Sequence, residues 1–416
     1  MDDRTGADRM TVTSQEQSAY RGGSPLRRRF PTITHLRRHA RRNIPYFAFE
    51  YCDGGAGSNK GIARNWAALD AVELVPRYGV MPALPSCDLE LFGRRYAAPI
   101  GIAPMGGPAL VWPGADLYMA QAAQRARVPY VLGTVGGLSI EQAADVAPDV
   151  LWFQLYRMAR NDHALAFDIL RRAEAAGVNV FVLTVDVPVR TTRPREVVVG
   201  LGGGKFSPDL RMILDMLRSP GWLMALAKHG HPRFANLKPY AGEGASTNDV
   251  IAFTRNEIGG AFTWDEIARF RDRWKRPLVL KGIMHPADAE KAVSLGIDGI
   301  WVSNHGGRQI EALPASVDVL PAIVAEVNGR ATVLLDSGVR SGTDVVRALA
   351  LGANAAFAGK AFLWGLGALG ADGPKHVIDL LIDETRAALG QIGAHSPAAA
   401  TSVVVRHPGA LAFPNA

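Results

Sequence analysis

Cysteine is almost absent: Cys52 and Cys87 are the only two among 416 residues, too few for a disulfide framework and without metal-ligand spacing. A reducing, cytoplasmic setting is the expectation. The first residues, Met1-Asp2-Asp3-Arg4, contain no apolar signal core, and no later run is long and apolar enough to span a bilayer. The chain is therefore expected to be soluble, or peripheral at the inner face of a membrane. No G-x-G-x-x-G fingerprint follows the first candidate strand, which argues against a dinucleotide site, and there is neither a G-x-S-x-G elbow nor a nucleophilic cysteine motif. The net charge of +7 is concentrated in an arginine-rich stretch from Arg21 to Arg42. No nucleic-acid motif accompanies it, so no nucleic-acid partner is expected.

What is present is an ordinary globular mixture, 48% hydrophobic and 20% charged, long enough for one large α/β domain. Residues 1–30 read as a disordered tail, 31–395 as the folded domain with an insertion at about 197–262, and 396–416 as a C-terminal tail. A helix is expected from Thr32 to Phe49, ended by the glycines of Asp53-Gly54-Gly55-Ala56-Gly57, which places Tyr51 at a helix end.

Short apolar runs then alternate with helical segments. The strands are expected at Pro99 to Ala103, Tyr130 to Gly133, Val150 to Leu155, Val180 to Val185, Leu278 to Leu280, Gly299 to Val302, Thr332 to Leu335 and Ala355 to Ala358. Their Val, Ile, Leu and Ala content lacks polar alternation, as strands covered on both faces require. Ser139 to Gln142 and Thr263 to Glu266 have capping-box spacing, and Pro286 opens a helix. About eight βα units predict a (β/α)8 TIM barrel with an N-terminal helical extension and a long insertion after strand four; an open doubly wound sheet is the alternative. The Leu-, Met- and Trp-rich stretch Leu210 to Ala227 reads as a lid over the barrel mouth, with an interfacial membrane-binding segment as the alternative.

In a barrel, reactive groups cluster just after strand ends. Here those positions hold Pro104-Met105-Gly106, Thr134, Gln154 and Tyr156, Thr184 and Asp186, Lys281, His305 and Arg308, Asp336 and Arg340, and Gly359-Lys360. A base, a carboxylate, arginines and a lysine, without a metal cage, suit a small anionic substrate beside a phosphorylated cofactor. The loops Asp336-Ser337-Gly338-Val339-Arg340-Ser341-Gly342 and Gly359-Lys360 follow strands seven and eight, where barrels often bind phosphate.

The ordered motifs Phe153-Gln154-Leu155-Tyr156, Leu183-Thr184-Val185-Asp186, Leu280-Lys281-Gly282, Ser303-Asn304-His305-Gly306-Gly307-Arg308-Gln309 and Leu335-Asp336-Ser337-Gly338-Val339-Arg340 resemble those of the FMN-dependent L-2-hydroxy acid oxidases and dehydrogenases, over roughly Thr32 to Gly390. The insertion is most similar to the bacterial lactate and mandelate dehydrogenase branch.

The resemblance implies that His305 is the base, Asp186 its orienting partner, and Arg193, Arg308 and Tyr51 the holders of a substrate carboxylate, with Tyr156 meeting the hydroxyl. It implies FMN held by Ala103, Pro104, Met105, Gly133, Gln154, Thr184, Lys281, Ser303, Asp336, Gly338, Arg340, Gly359 and Lys360. It further implies a quinone or electron-transfer protein as acceptor and a homotetramer. An oxidase passing electrons to O₂ to give H₂O₂, and a non-catalytic flavin-binding sensor or interaction protein, are the alternatives. Retention of His305, Asp186, Arg193 and Arg308 speaks against the sensor. Three positions depart from the family: Met105-Gly106 after Ala103-Pro104, Gly133 where a flavin-binding serine is common, and Lys360 for the usual arginine, which keeps the charge but loses the planar fork.

Overall fold

A computed structural model describes residues 24–80, 83–189, 191–202 and 208–413. Eight parallel strands close into a barrel: β1 Ile100–Ile102, β2 Tyr130–Gly133, β3 Leu151–Leu155, β4 Val180–Thr184, β5 Leu278–Ile283, β6 Gly299–Val302, β7 Thr332–Leu335 and β8 Ala355–Ala358. Each strand pairs with its neighbour in sequence, and β8 returns to β1 through Ala356 opposite Ile100. Closure excludes the open doubly wound alternative.

The strands are buried throughout β2, β3, β4, β6 and β8, which explains their missing polar alternation. Phe357 fills the barrel axis, its ring centroid 4.2 Å from Trp301 and 5.4 Å from Trp152. Gly101 makes room for it: a Cβ there would stand 2.1 Å from the Phe357 ring.

Strand β5 runs past the expected Leu280 to Ile283. Lys281 read as a strand end because it is charged, yet it is 4% exposed and its ammonium is paired inside the barrel mouth. The single helix expected from Thr32 to Phe49 is two: α1 Ile33–Asn43 and α2 Tyr46–Asp53. Pro45 drives Ile44 into the extended region (φ −113°, ψ 160°), because the proline ring clashes with a helical residue before it. The break re-aims α2 so that its C-terminal end reaches the barrel mouth, and α3 Lys60–Asp70 follows.

Inside the insertion lie α4 Leu210–Leu217 and α5 Pro220–His229. Trp222 of α5 is buried against Phe47 of α2, ring centroids 5.8 Å apart, while Leu210, Leu217 and Met224 are 73%, 62% and 70% exposed. After β8, α6 Lys360–Leu369 begins directly at the mouth.

Both expected tails need correction. Pro25–Arg29 is a short helix capped by Ser24, and Phe30 is buried with its carbonyl accepting a hydrogen bond from His376 Nε2 at 2.9 Å, so the folded body starts before residue 31. Residues 1–23 lie outside the described residues. At the other end Val404–Arg406 pairs antiparallel with Glu73–Val75, so residues 396–416 are no free tail through that strand.

Candidate active site

The C-terminal mouth of the barrel holds a cleft of about 980 Å³, counting the open solvent at its entrance, reached by α2, α3 and the loops after five of the strands. His305 follows β6 in a left-handed conformation, φ +58°, unusual for a residue with a side chain. The surrounding loop imposes it. The His305 N–H donates to Ser303 Oγ at 3.0 Å, and the Gly306 N–H donates to Ser337 Oγ at 3.0 Å. Asn304 and Asn65 exchange amide hydrogen bonds of 2.6 and 2.9 Å, tying the same loop to α3.

His305 Nδ1 lies 3.0 and 3.2 Å from the two carboxylate oxygens of Asp186, leaving Nε2 as the ring nitrogen free for chemistry. Burial disfavours charge on Asp186, but the charge and hydrogen bond of His305, with Lys281 behind them, outweigh it and hold the carboxyl below its usual value. Gly282, at φ +107°, gives Asp186 its room, since a Cβ would approach the aspartate side chain to 2.5 Å.

Across from this pair stands a cationic wall. Arg308 Nη1 donates to the carbonyls of Tyr51 and Gly54 at 2.9 and 3.0 Å, Nη2 contacts Glu196 Oε1 at 2.6 Å, and the guanidinium lies 5.2 Å from the Tyr51 ring centroid. Arg193 Nε donates to the Arg308 carbonyl at 3.1 Å. Burial and the neighbouring Arg308 lower the Arg193 pKa. Tyr51 donates its hydroxyl to the Gly106 carbonyl, and burial raises the phenol pKa of both Tyr51 and Tyr156. At the floor, Lys281 Nζ is 2.9 Å from Asp336 Oδ2 and 2.8 Å from Ser303 Oγ. Gln154 Nε2 donates to Thr184 Oγ1 at 2.9 Å.

Tyr51, Ala103, Pro104, Met105, Tyr156, Thr184, Lys281, His305, Arg308, Asp336, Gly338, Arg340, Gly359 and Lys360 all line the cleft. Asp186, Arg193, Gln154 and Ser303 stand behind it, each bonded to a residue in front. Gly133 also lies behind, against Met105 and Gln154. Arg340 is held by Asp70 at 2.6 Å and Asp344 at 3.2 Å. Sequence reading overlooked Glu196, Asn65 and Ser337. The Arg193 to Glu196 spacing of three, opening a helix, was the available signal for the first; the other two have none.

The residues fit FMN. Lys360 opens α6 half-buried on the cleft, its ammonium donating, among the described residues, to the Cys52 and Gly54 carbonyls at 2.9 and 2.7 Å, and burial of the charge together with Arg308 pushes its pKa down to about 7. A cation with no carboxylate in ion-pair contact among the described residues, at a helix start and on the same cleft as the Gly338 loop, suits a phosphate. Met105 and Lys281 supply an apolar surface and a cation on the same cleft.

Fold and donor set together define an anion-accepting barrel with a His–Asp pair at its mouth. Residues 40–407 match the FMN-dependent dehydrogenase family, and the chain belongs to that family and uses FMN. An L-lactate dehydrogenase of Ectopseudomonas mendocina is 38% identical over 372 residues, covering 89% of this chain and 97% of the relative. The solved structure of a monotopic membrane protein, (S)-mandelate dehydrogenase, is 32% identical with a TM-score of 0.83, covering 88% of this chain and 96% of its own. A mandelate oxidase is 34% identical with a TM-score of 0.77, covering 91% and 99%.

Proposed function

We propose that the chain oxidises an L-2-hydroxy acid of lactate or mandelate type to the 2-oxo acid and passes the electrons to a quinone or protein acceptor. The supporting observation is that His305, Arg308 and Tyr51 line one cleft, with Asp186 bonded behind His305 and Arg193 bonded behind Arg308, a base and a carboxylate holder on the same space. Arg308 and Arg193 orient the substrate carboxylate, which puts its C2 carbon toward His305. Nε2 accepts the proton released as the substrate is oxidised, and Asp186 stabilises the resulting imidazolium. Tyr156 meets the substrate hydroxyl. Bound FMN supplies the two-electron acceptor. Lys281, Gln154 and Thr184 would hold its polar ring edge, where the Lys281 cation, steadied by Asp336 and Ser303, would favour added negative charge, and Gly338, Arg340, Gly359 and Lys360 would hold the phosphate.

The L-lactate dehydrogenase relatives and the monotopic (S)-mandelate dehydrogenase support an acceptor other than O₂ and peripheral attachment to a membrane, while the mandelate oxidase neighbour supports the O₂ alternative. The exposed apolar residues of α4 and α5 support the same attachment.

The decisive experiment adds lactate, mandelate and longer 2-hydroxy acids to the protein without oxygen and follows bleaching of the flavin, then re-oxidises with a quinone analogue or air. Bleaching by at least one acid, slowed about 10²- to 10⁴-fold in His305→Asn with FMN content unchanged, is expected. No bleaching by any acid defeats the reading, and rapid peroxide formation in air makes the protein an oxidase instead.

A further inference from the structure

One carboxylate oxygen, Glu196 Oε1, touches both arginines of the cationic wall: Arg308 Nη2 at 2.6 Å and Arg193 Nη1 at 3.5 Å. All three side chains are largely buried, 14% exposed for Glu196, 15% for Arg308 and 25% for Arg193. Two guanidinium groups held this close repel each other, and an ion pair shared between them offsets that repulsion in a poorly hydrated site.

The shared oxygen is also held in place from outside. Arg195, the residue before Glu196, is clamped onto α2, its Nη2 2.9 Å from Glu50 Oε1 and its Nη1 3.0 Å from Asp53 Oδ2. Thr191 Oγ1 and Arg193 Nε both donate to the Arg308 carbonyl, at 3.2 and 3.1 Å. The short helix Pro194–Val198 is therefore tethered through Arg195 and through the residues just before it, and turning Glu196 away from the pair breaks those bonds.

Arg308 has five N–H groups, and three are taken by Tyr51, Gly54 and Glu196. On Arg193, among the described residues, Nε is taken and Nη1 lies 3.5 Å from Glu196, which leaves the Nη2 N–H groups and one on Nη1. Glu196 thus fixes which N–H groups stay available while adding a negative charge beside the place where an anion must sit.

We propose that Glu196 is a positioning residue that holds Arg193 and Arg308 as one carboxylate-binding unit and, by its charge, limits how tightly that unit grips an anion. The inference rests on the reading above, in which this pair receives the substrate carboxylate. Its two halves predict opposite signs. Glu196→Gln retains an oxygen for both arginines but removes the opposing charge, so anions bind more tightly. Glu196→Ala frees the arginines to separate, so anions bind more weakly.

The test uses the FMN-loaded protein and 2-hydroxy-2-methylpropanoate, a 2-hydroxy acid with no hydrogen on C2, so that it binds without being oxidised. Its dissociation constant is read from the change in flavin absorption, at low and at moderate salt. About fivefold tighter binding in Glu196→Gln, with a steeper salt dependence, is expected, because a site with one more net positive charge attracts anions more strongly and is screened more. In Glu196→Ala about tenfold weaker binding is expected, with partial recovery in Glu196→Asp. In turnover with an oxidisable acid the change falls on KM rather than kcat, which loss of global structure does not produce.

Arg308→Met separates the two levels. If it leaves analogue affinity unchanged, the carboxylate-holding role of the pair is wrong. If it abolishes binding while Glu196→Gln binds no more tightly than the parent, the role assigned to Glu196 is wrong and the arginine reading stands. The Gln variant decides alone should the Ala variant fail to fold.

Discussion

Gly133 shows how one absent side chain constrains a site. The sequence suggests a lost hydrogen bond, since a serine is common there in the family. The structure gives the reason: a Cβ at 133 would stand 2.9 Å from the Met105 carbonyl oxygen, a backbone atom that has to move to admit it. Gly133→Ser is therefore expected to weaken FMN retention rather than restore a contact, measured by flavin fluorescence released on dilution; tighter retention would refute it. His305, Asp186, Lys281 and Arg308 were legible because charged groups at the ends of apolar runs stand out against their surroundings. Asn65 and Ser337 were not, because a buried amide and a hydroxyl look like any polar loop residue until the fold brings them within hydrogen-bond distance of the His305 loop.

Among the elements, the strands were read most accurately, since burial on both faces leaves an unbroken apolar signature. The helices were read less well where one residue overrides a periodic pattern, as Pro45 does between α1 and α2. Both capping boxes formed, and the one at Thr263 carries more than a helix start. Glu266, its third residue, also takes Arg157 at 2.7 Å and His163 at 2.9 Å, so it fastens the loop after β3, which carries Tyr156, to the helix that follows the insertion. Its Arg157 hydrogen bond depresses the carboxyl pKa from 4.5 to about 2. A folded-state pKa below the unfolded one stabilises the protein above pH 4.5, and that contribution drains away as pH falls from 4.5 toward 2. Glu266→Gln is expected to be less stable at neutral pH and to lose less stability over that acid window, as followed by denaturant melts at several pH values. Parallel pH curves for the two proteins would remove Glu266 from this role.

For the molecule as a whole, the eight-fold alternation made the barrel legible, whereas the insertion could be read only as lid or membrane surface. In the structure α5 buries Trp222 against α2, none of the described residues of the insertion lines the cleft, and Leu210, Leu217 and Met224 remain outside with Arg211, Arg218 and Lys228 nearby in sequence. Apolar side chains flanked by cations suit an anionic bilayer surface. Co-sedimentation with vesicles containing anionic lipid is expected, reduced about tenfold or more by the triple change Leu210→Asp, Leu217→Asp and Met224→Asp; equal binding by parent and variant would leave the patch without this purpose. The barrel seam has a different consequence, for the order of events during synthesis. The cleft takes Tyr51 and Asn65 from before β1 and Gly359 and Lys360 from after β8, and β1 finds its second neighbour only when Ala355–Ala358 is available. While the ribosome is still making the middle of the chain, the side of the cleft formed by Gly359 and Lys360 does not exist. Flavin uptake is therefore expected only once β8 has been made, and a nascent chain stalled before residue 355 should emerge colourless.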